Sequence, residues 1–114
     1  MKIIFNVLTS LTLVWSFSSQ AGSSIDPTKI TQILVGPKFG NNVIIEISGT
    51  ASNRPNCHTN QRWDYVFDGS TESGKATLSV VLAAYATQKD VWLAGAGGCG
   101  LYGGLESLDF VVAK

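Results

Sequence analysis

One run of this sequence has a helical period, and it stands between three strand-like runs and two more. Within 70–88, Leu78, Val81, Leu82 and Tyr85 fall at i, i+3, i+4 and i+7, one face of a helix. Ser70 or Thr71 is placed to be its N-cap, and Glu72 lies in the first turn, where negative charge is favoured. Upstream, 22–27 reads as a polar leader. Residues 29–35 are rich in Ile, Leu and Val and stop at Gly36-Pro37. A turn at Gly40-Asn41-Asn42 precedes a second strand over 43–48, a loop fills 49–60, and 63–67 alternates with period 2. Downstream, 91–94 is a fourth strand and 95–104 a loop with six glycines. Residues 105–112 form the fifth strand, with Leu108, Phe110 and Val112 expected on one side of it.

This order, β-β-β-α-β-β, predicts a mainly β chain with one helix (α+β). It is the order of the OB-fold, a partly open five-stranded Greek-key barrel. Element order alone is shared with other small α+β sheets.

The N-terminus predicts export. Lys2 is followed by a mostly apolar, uncharged run over 3–15 and a small, polar exit ending Ser19-Gln20-Ala21. These are the three parts of a cleaved secretory signal, and the apolar run is shorter than the ~20 residues a membrane span needs. Residues 1–21 are therefore expected to be the signal and 22–114 one domain, secreted or periplasmic. Lys2 aside, the charges nearly balance, which argues against nucleic acid as a partner. No second apolar run approaches spanning length.

The only cysteines are Cys57 and Cys99, and in an exported chain this short they are expected to pair. A loop of about 43 residues closed this way contributes roughly 4 kcal/mol in the chain-entropy model. A metal site is not expected: His58 is the sole histidine, and the two cysteines with it do not make the usual ligand set of zinc. No cofactor is expected.

Two motifs bear on chemistry. Residues 69–75 fit GxxxxGK between a strand and a helix, yet Ala76 stands where the magnesium-binding hydroxyl belongs, so a capped helix start is the simpler reading. The glycines of 95–104 precede a strand, whereas a dinucleotide loop opens a helix. His58 is the only imidazole base, and Asp64, alternating with aromatics, reads as a solvent-facing strand residue. No catalytic set is marked, and a non-enzymatic protein is expected.

Binding is better supplied. Val91 and Leu93 should point inward, which turns Trp92 outward. Tyr102 lies in the glycine-rich loop, and Trp63 and Tyr65 share a strand with Phe67. Trp92, Tyr102, Trp63 and Tyr65 are the candidate ligand-binding residues, the last two also reading as core. Opposite the apolar face of the helix, Ala76, Val80, Ala83 and Thr87 form a second stripe, and no charged residue occurs between Lys75 and Lys89. Solvent faces of helices are usually charged, so this stripe is the candidate face for a homo-oligomer.

The run Ile30-Thr31-Gln32-Ile33-Leu34-Val35-Gly36, a second strand, a loop cysteine, Trp63 and an uncharged helix before a short strand resemble the B subunits of subtilase cytotoxin and typhoid toxin. The likeness is one of layout over nearly all of 22–114. It implies a secreted bacterial OB-fold protein, a pentamer, a sialylated glycan ligand and an enzymatic A-subunit partner. Residues 22–28 hold no aromatic, so no glycan-binding residue transfers. The expected function is recognition of a glycan or other surface ligand. The alternative is a periplasmic or extracellular inhibitor that binds another protein.

Overall fold

The structure, a computed structural model, describes residues 22–114; the expected signal over 1–21 lies outside the described residues. Six strands and one helix follow one another: β1 (Ser24–Thr28), β2 (Ile30–Leu34), β3 (Asn42–Ile47), β4 (Tyr65–Asp68), α1 (Glu72–Thr87), β5 (Val91–Gly95) and β6 (Leu108–Ala113). A single 3-10 turn, Pro37–Phe39, joins β2 to β3. The described residues are mainly β with one helix, and their strands form two antiparallel sheets of three, ordered β1-β5-β6 and β2-β3-β4. The five strands expected from the sequence are present with shifted bounds. The sixth, β1, replaces the second half of the supposed leader, because Ile25 and Thr28 find partners in Leu93 and Val91 of β5.

The backbones of the two sheets are linked at Lys29 and at Val66. Only Lys29 separates β1 from β2, so one extended run passes from the first sheet to the second. Val66 of β4 bridges in parallel to Ser107, its amide donating to the Glu106 carbonyl at 3.1 Å.

The main core lies between the sheets. Ile30, Val43, Ile45, Tyr65, Phe67 and Leu93 are buried there, and Val81 and Ala84 of α1 close it. A smaller cluster, Ile44, Val66 and Leu105, covers the opposite face of β3 and β4, flanked by Leu34, Phe39 and Trp63. Burial on both faces explains why β3 reads Val-Ile-Ile without alternation.

The helix begins as expected: the Thr71 hydroxyl accepts the Gly74 amide at 2.9 Å, and Gln88 ends it in the left-handed region, at φ 52°. Lys75 of the GxxxxGK run pairs with Glu72 in the same turn. The buried stripe, however, is Gly74, Val81 and Ala84 with Leu78 half-buried, leaving Leu82 48% and Tyr85 40% exposed. The helix is thus rolled by about half a residue, roughly 50° at 100° per residue. Gly74 faces inward where the chain approaches it closely: a β-carbon there would overlap the Asp68 carbonyl.

β6 departs in phase as well. Phe110 pairs with Ala94 while Leu108 pairs with Gly95, so Asp109 is an extra residue, a bulge. Past it the alternation inverts, so that Val111 packs on the core and Phe110 and Val112 are exposed. Cys57 and Cys99 are joined, with Cα atoms 6.0 Å apart, tying the 49–64 loop to the glycine-rich loop.

Candidate ligand-binding surface

Trp92 is the most conspicuous aromatic outside the core. Its neighbours Val91 and Leu93 are fully buried, so strand alternation puts the indole on the outer face of the β1-β5-β6 sheet, 36% exposed. Its Nε1 donates to the Ser24 hydroxyl at 3.1 Å, which fixes the ring against β1. On the other side Phe110 meets it edge-to-face, ring centroids 5.0 Å apart and planes at 90°. With Val112, its cross-strand partner, this makes a small exposed apolar surface held by three strands. Phe110 could not be assigned to it from sequence, because the bulge at Asp109 decides its direction.

The other candidates lie elsewhere. Tyr102 is also 36% exposed, with its ring 6.1 Å from that of Phe39. Trp63 is half-buried in the smaller cluster beside Phe39, with the Arg62 guanidinium 5.0 Å above its ring. Tyr65 lies in the main core, 1% exposed, and presents no surface to a ligand. Leu101, next to Tyr102, lines a cleft of about 230 Å³ with Phe67, Asp68, Thr71, Thr77 and Asp109. That volume lies below the ~300 Å³ at which typical ligand pockets begin.

The helix stripe is also outside. Ala76, Ala83 and Thr87 are exposed and Val80 is half-buried. The hydroxyls of Thr77, Ser79 and Thr87 turn back onto the carbonyls of Ser73, Lys75 and Ala83. Their polar atoms are thereby partnered within the helix, and the surface is more apolar than its composition suggests.

Sequence reasoning missed a buried polar cluster under the disulfide. Glu106 is fully buried; its carboxylate accepts the amides of Ser23 (3.1 Å) and Gly97 (3.0 Å) and the Ser23 hydroxyl. Since that hydroxyl gives its proton to Glu106, the Tyr65 hydroxyl, 2.6 Å away, donates to Ser23. The Glu106 amide donates to His58 Nδ1 at 3.1 Å, while Nε2 is enclosed without a partner. Burial, then the Arg54 charge, lowers the His58 pKa. With Nδ1 accepting, the proton is on Nε2 and no lone pair is left to act as a base. Asp64 is buried, correcting the expectation of a solvent-facing residue: it accepts the Ile47 amide at 2.8 Å and pairs with Arg54. Burial raises its pKa, against these two partners, and raises that of Tyr65 as well. This cluster ties 22–24, 54–65 and 95–107 together, and no local pattern in the sequence pointed to it.

Among the described residues no three His, Cys, Asp or Glu side chains are grouped to hold a metal ion, and no helix is long and apolar enough to cross a membrane. A comparison of the chain with models of known families, with curated proteins and with solved structures finds no match.

Proposed function

We propose that this is an exported binding protein without catalytic activity, which uses the outer face of the β1-β5-β6 sheet to recognise a glycan or another surface ligand. The observation that carries the reading is Trp92 held outward between Ser24 and Phe110. A fixed aromatic face costs little ordering on contact and stacks on the apolar C–H face of a sugar or on a protein side chain. The disulfide suits a secreted or periplasmic location.

The strand pattern supports an OB-like arrangement within this proposal. If β1 and β2 are counted as one strand crossing between sheets at Lys29, the neighbours run β2-β3-β4, then β6 through the Val66–Ser107 bridge, then β5 and back to β1. The same proposal includes self-association through the uncharged outer stripe of α1. By resemblance to toxin B subunits that association is a ring of five carrying an A subunit.

The test is a glycan array probed with the purified exported protein and its Trp92→Ala variant. Wild type should retain a defined set of glycans, and Trp92→Ala should lose at least tenfold in affinity with little change in Tm. Binding that survives in Trp92→Ala would overturn the assignment of this face. No glycan retained, with a protein partner captured through the same residue, would favour the inhibitor reading.

A further inference from the structure

Among the described residues, Glu106 is an enclosed carboxylate without a cation. The ion pairs among the described residues are Lys29–Asp90, Arg54–Asp64, Arg62–Glu46, Lys75–Glu72 and Lys114–Asp26, and none includes it. Its three donors, the two Ser23 groups and the Gly97 amide, supply hydrogen bonds but no formal charge. A buried carboxylate is costly unless it is paired as well as hydrogen-bonded.

The residue beside Ser23 is Gly22, the first residue after the expected cleavage point. Ser23 is buried, and its carbonyl accepts the Gly95 amide at 2.8 Å, which holds this segment along β5. Gly22 is packed so closely that a β-carbon there would overlap the Gly95 carbonyl. Consecutive backbone nitrogens are at most about 3.6 Å apart. Since the Ser23 amide is 3.1 Å from Oε2 of Glu106, the Gly22 nitrogen lies within about 7 Å of that oxygen. A freed amine there would, with the Ser23 amide, set two successive nitrogens beside one anion, as in a backbone nest.

We propose that cleavage after Ala21 creates the missing cation: the Gly22 α-ammonium docks on Glu106, so that removal of the signal also completes this buried cluster. The inference rests on the export reading above and extends it to a role for the new terminus.

The surroundings make the amine the group that titrates. Glu106 and Gly22 are faced by Tyr65 from β4 and by His58 from the disulfide loop, with the Arg54–Asp64 pair behind. The His58 pKa is lowered and that of Tyr65 raised, both by burial first, so each stays neutral from pH 7 to about 10. An α-amine has an unfolded pKa of about 7.7–8.0. Pairing raises it in the folded state. Its stabilisation is therefore complete below about pH 7.7 and is lost as the pH rises through the folded value.

The experiment starts with the exported protein, whose N-terminus is sequenced. A start other than Gly22 would overturn the cleavage reading; the remaining measurements would then be made on a chain released at Gly22 by a site-specific protease. The α-amine is acetylated near neutral pH, and urea unfolding of the free and acetylated forms is compared. At pH 7 acetylation should raise the unfolding constant about tenfold, one pK unit or about 1.4 kcal/mol. At pH 10 the two forms should unfold alike, and in Glu106→Gln acetylation should change nothing at either pH. Should that variant fail to fold, the wild-type comparison at the two pH values decides alone. Equal unfolding of the two wild-type forms at pH 7, or a difference that persists at pH 10, would refute the docking.

Discussion

Glu106 and its contacts concentrate the residue-scale constraints of this protein. Its carboxylate fills the space that a side chain on Gly95 would need, since a β-carbon there would overlap both oxygens. Ordinarily the end of a flexible side chain moves aside at low cost. Here the movement breaks bonds to Ser23 and Gly97 inside the protein, at about 1–3 kcal/mol for each group left unsatisfied. Gly95→Ala is therefore expected to destabilise by about 3 kcal/mol or more in urea unfolding. His58 sets a pH dependence. Its folded pKa lies below the usual 6.5, so the folded state binds fewer protons than the unfolded chain. Stability from this group is full above about pH 6.5 and is lost as the pH falls through the folded value. His58→Asn, which retains an acceptor for the Glu106 amide, should flatten the fall in urea midpoint between pH 7 and 5.5.

At the scale of elements, β6 and α1 owe their outer surfaces to small geometric choices. The bulge at Asp109 turns Phe110 onto Trp92, and the roll of α1 turns Leu82 and Tyr85 outward beside the Ala76–Ala83–Thr87 stripe. An uncharged helix face of this kind is suited to contact another copy. Light scattering at micromolar concentration should give a mass above that of the monomer. Ala83→Glu should reduce it to the monomer while leaving the CD spectrum and thermal unfolding cooperative, because Ala83 is exposed in the single chain. A monomeric wild type would refute self-association.

For the whole molecule, the disulfide is the main long-range tie outside the core. It holds the 49–64 loop, which has little regular structure, against the loop that carries Glu106. The described domain is small, and domains of this size bury a modest core, so constraint of the unfolded chain contributes a large share of stability. Cys99→Ser is expected to lower the unfolding free energy by about 4 kcal/mol. The unmodified protein should show no thiol reactive with a maleimide in denaturant without reductant. The exposed ion pairs, such as Lys29–Asp90 and Lys114–Asp26, contribute at most about 1 kcal/mol each and do not substitute for it.

Much of this architecture is local and therefore legible in the chain. Period and turn residues place β2 to β6 and α1, because alternation and 3.6-residue spacing are properties of short segments. A cap at Ser70 or Thr71, Trp92 facing out between two core residues and the Cys57–Cys99 pairing follow from near neighbours or from simple counting. What the sequence could not decide depends on partners far along the chain. Residues 24–28 become a strand only because β5 offers an edge, with Pro27 in the middle of a stretch that reads as polar leader. The helix rolls because Gly74 must clear the Asp68 carbonyl, and β6 inverts its phase at one bulged residue. Asp64 and Glu106 look like surface acids in the chain. They are internal because Arg54, Ser23 and the amides of Ile47 and Gly97, brought from up to 83 positions away, satisfy them there. Local pattern determined which elements form. Long-range packing determined which way they face and which polar groups could afford to leave water.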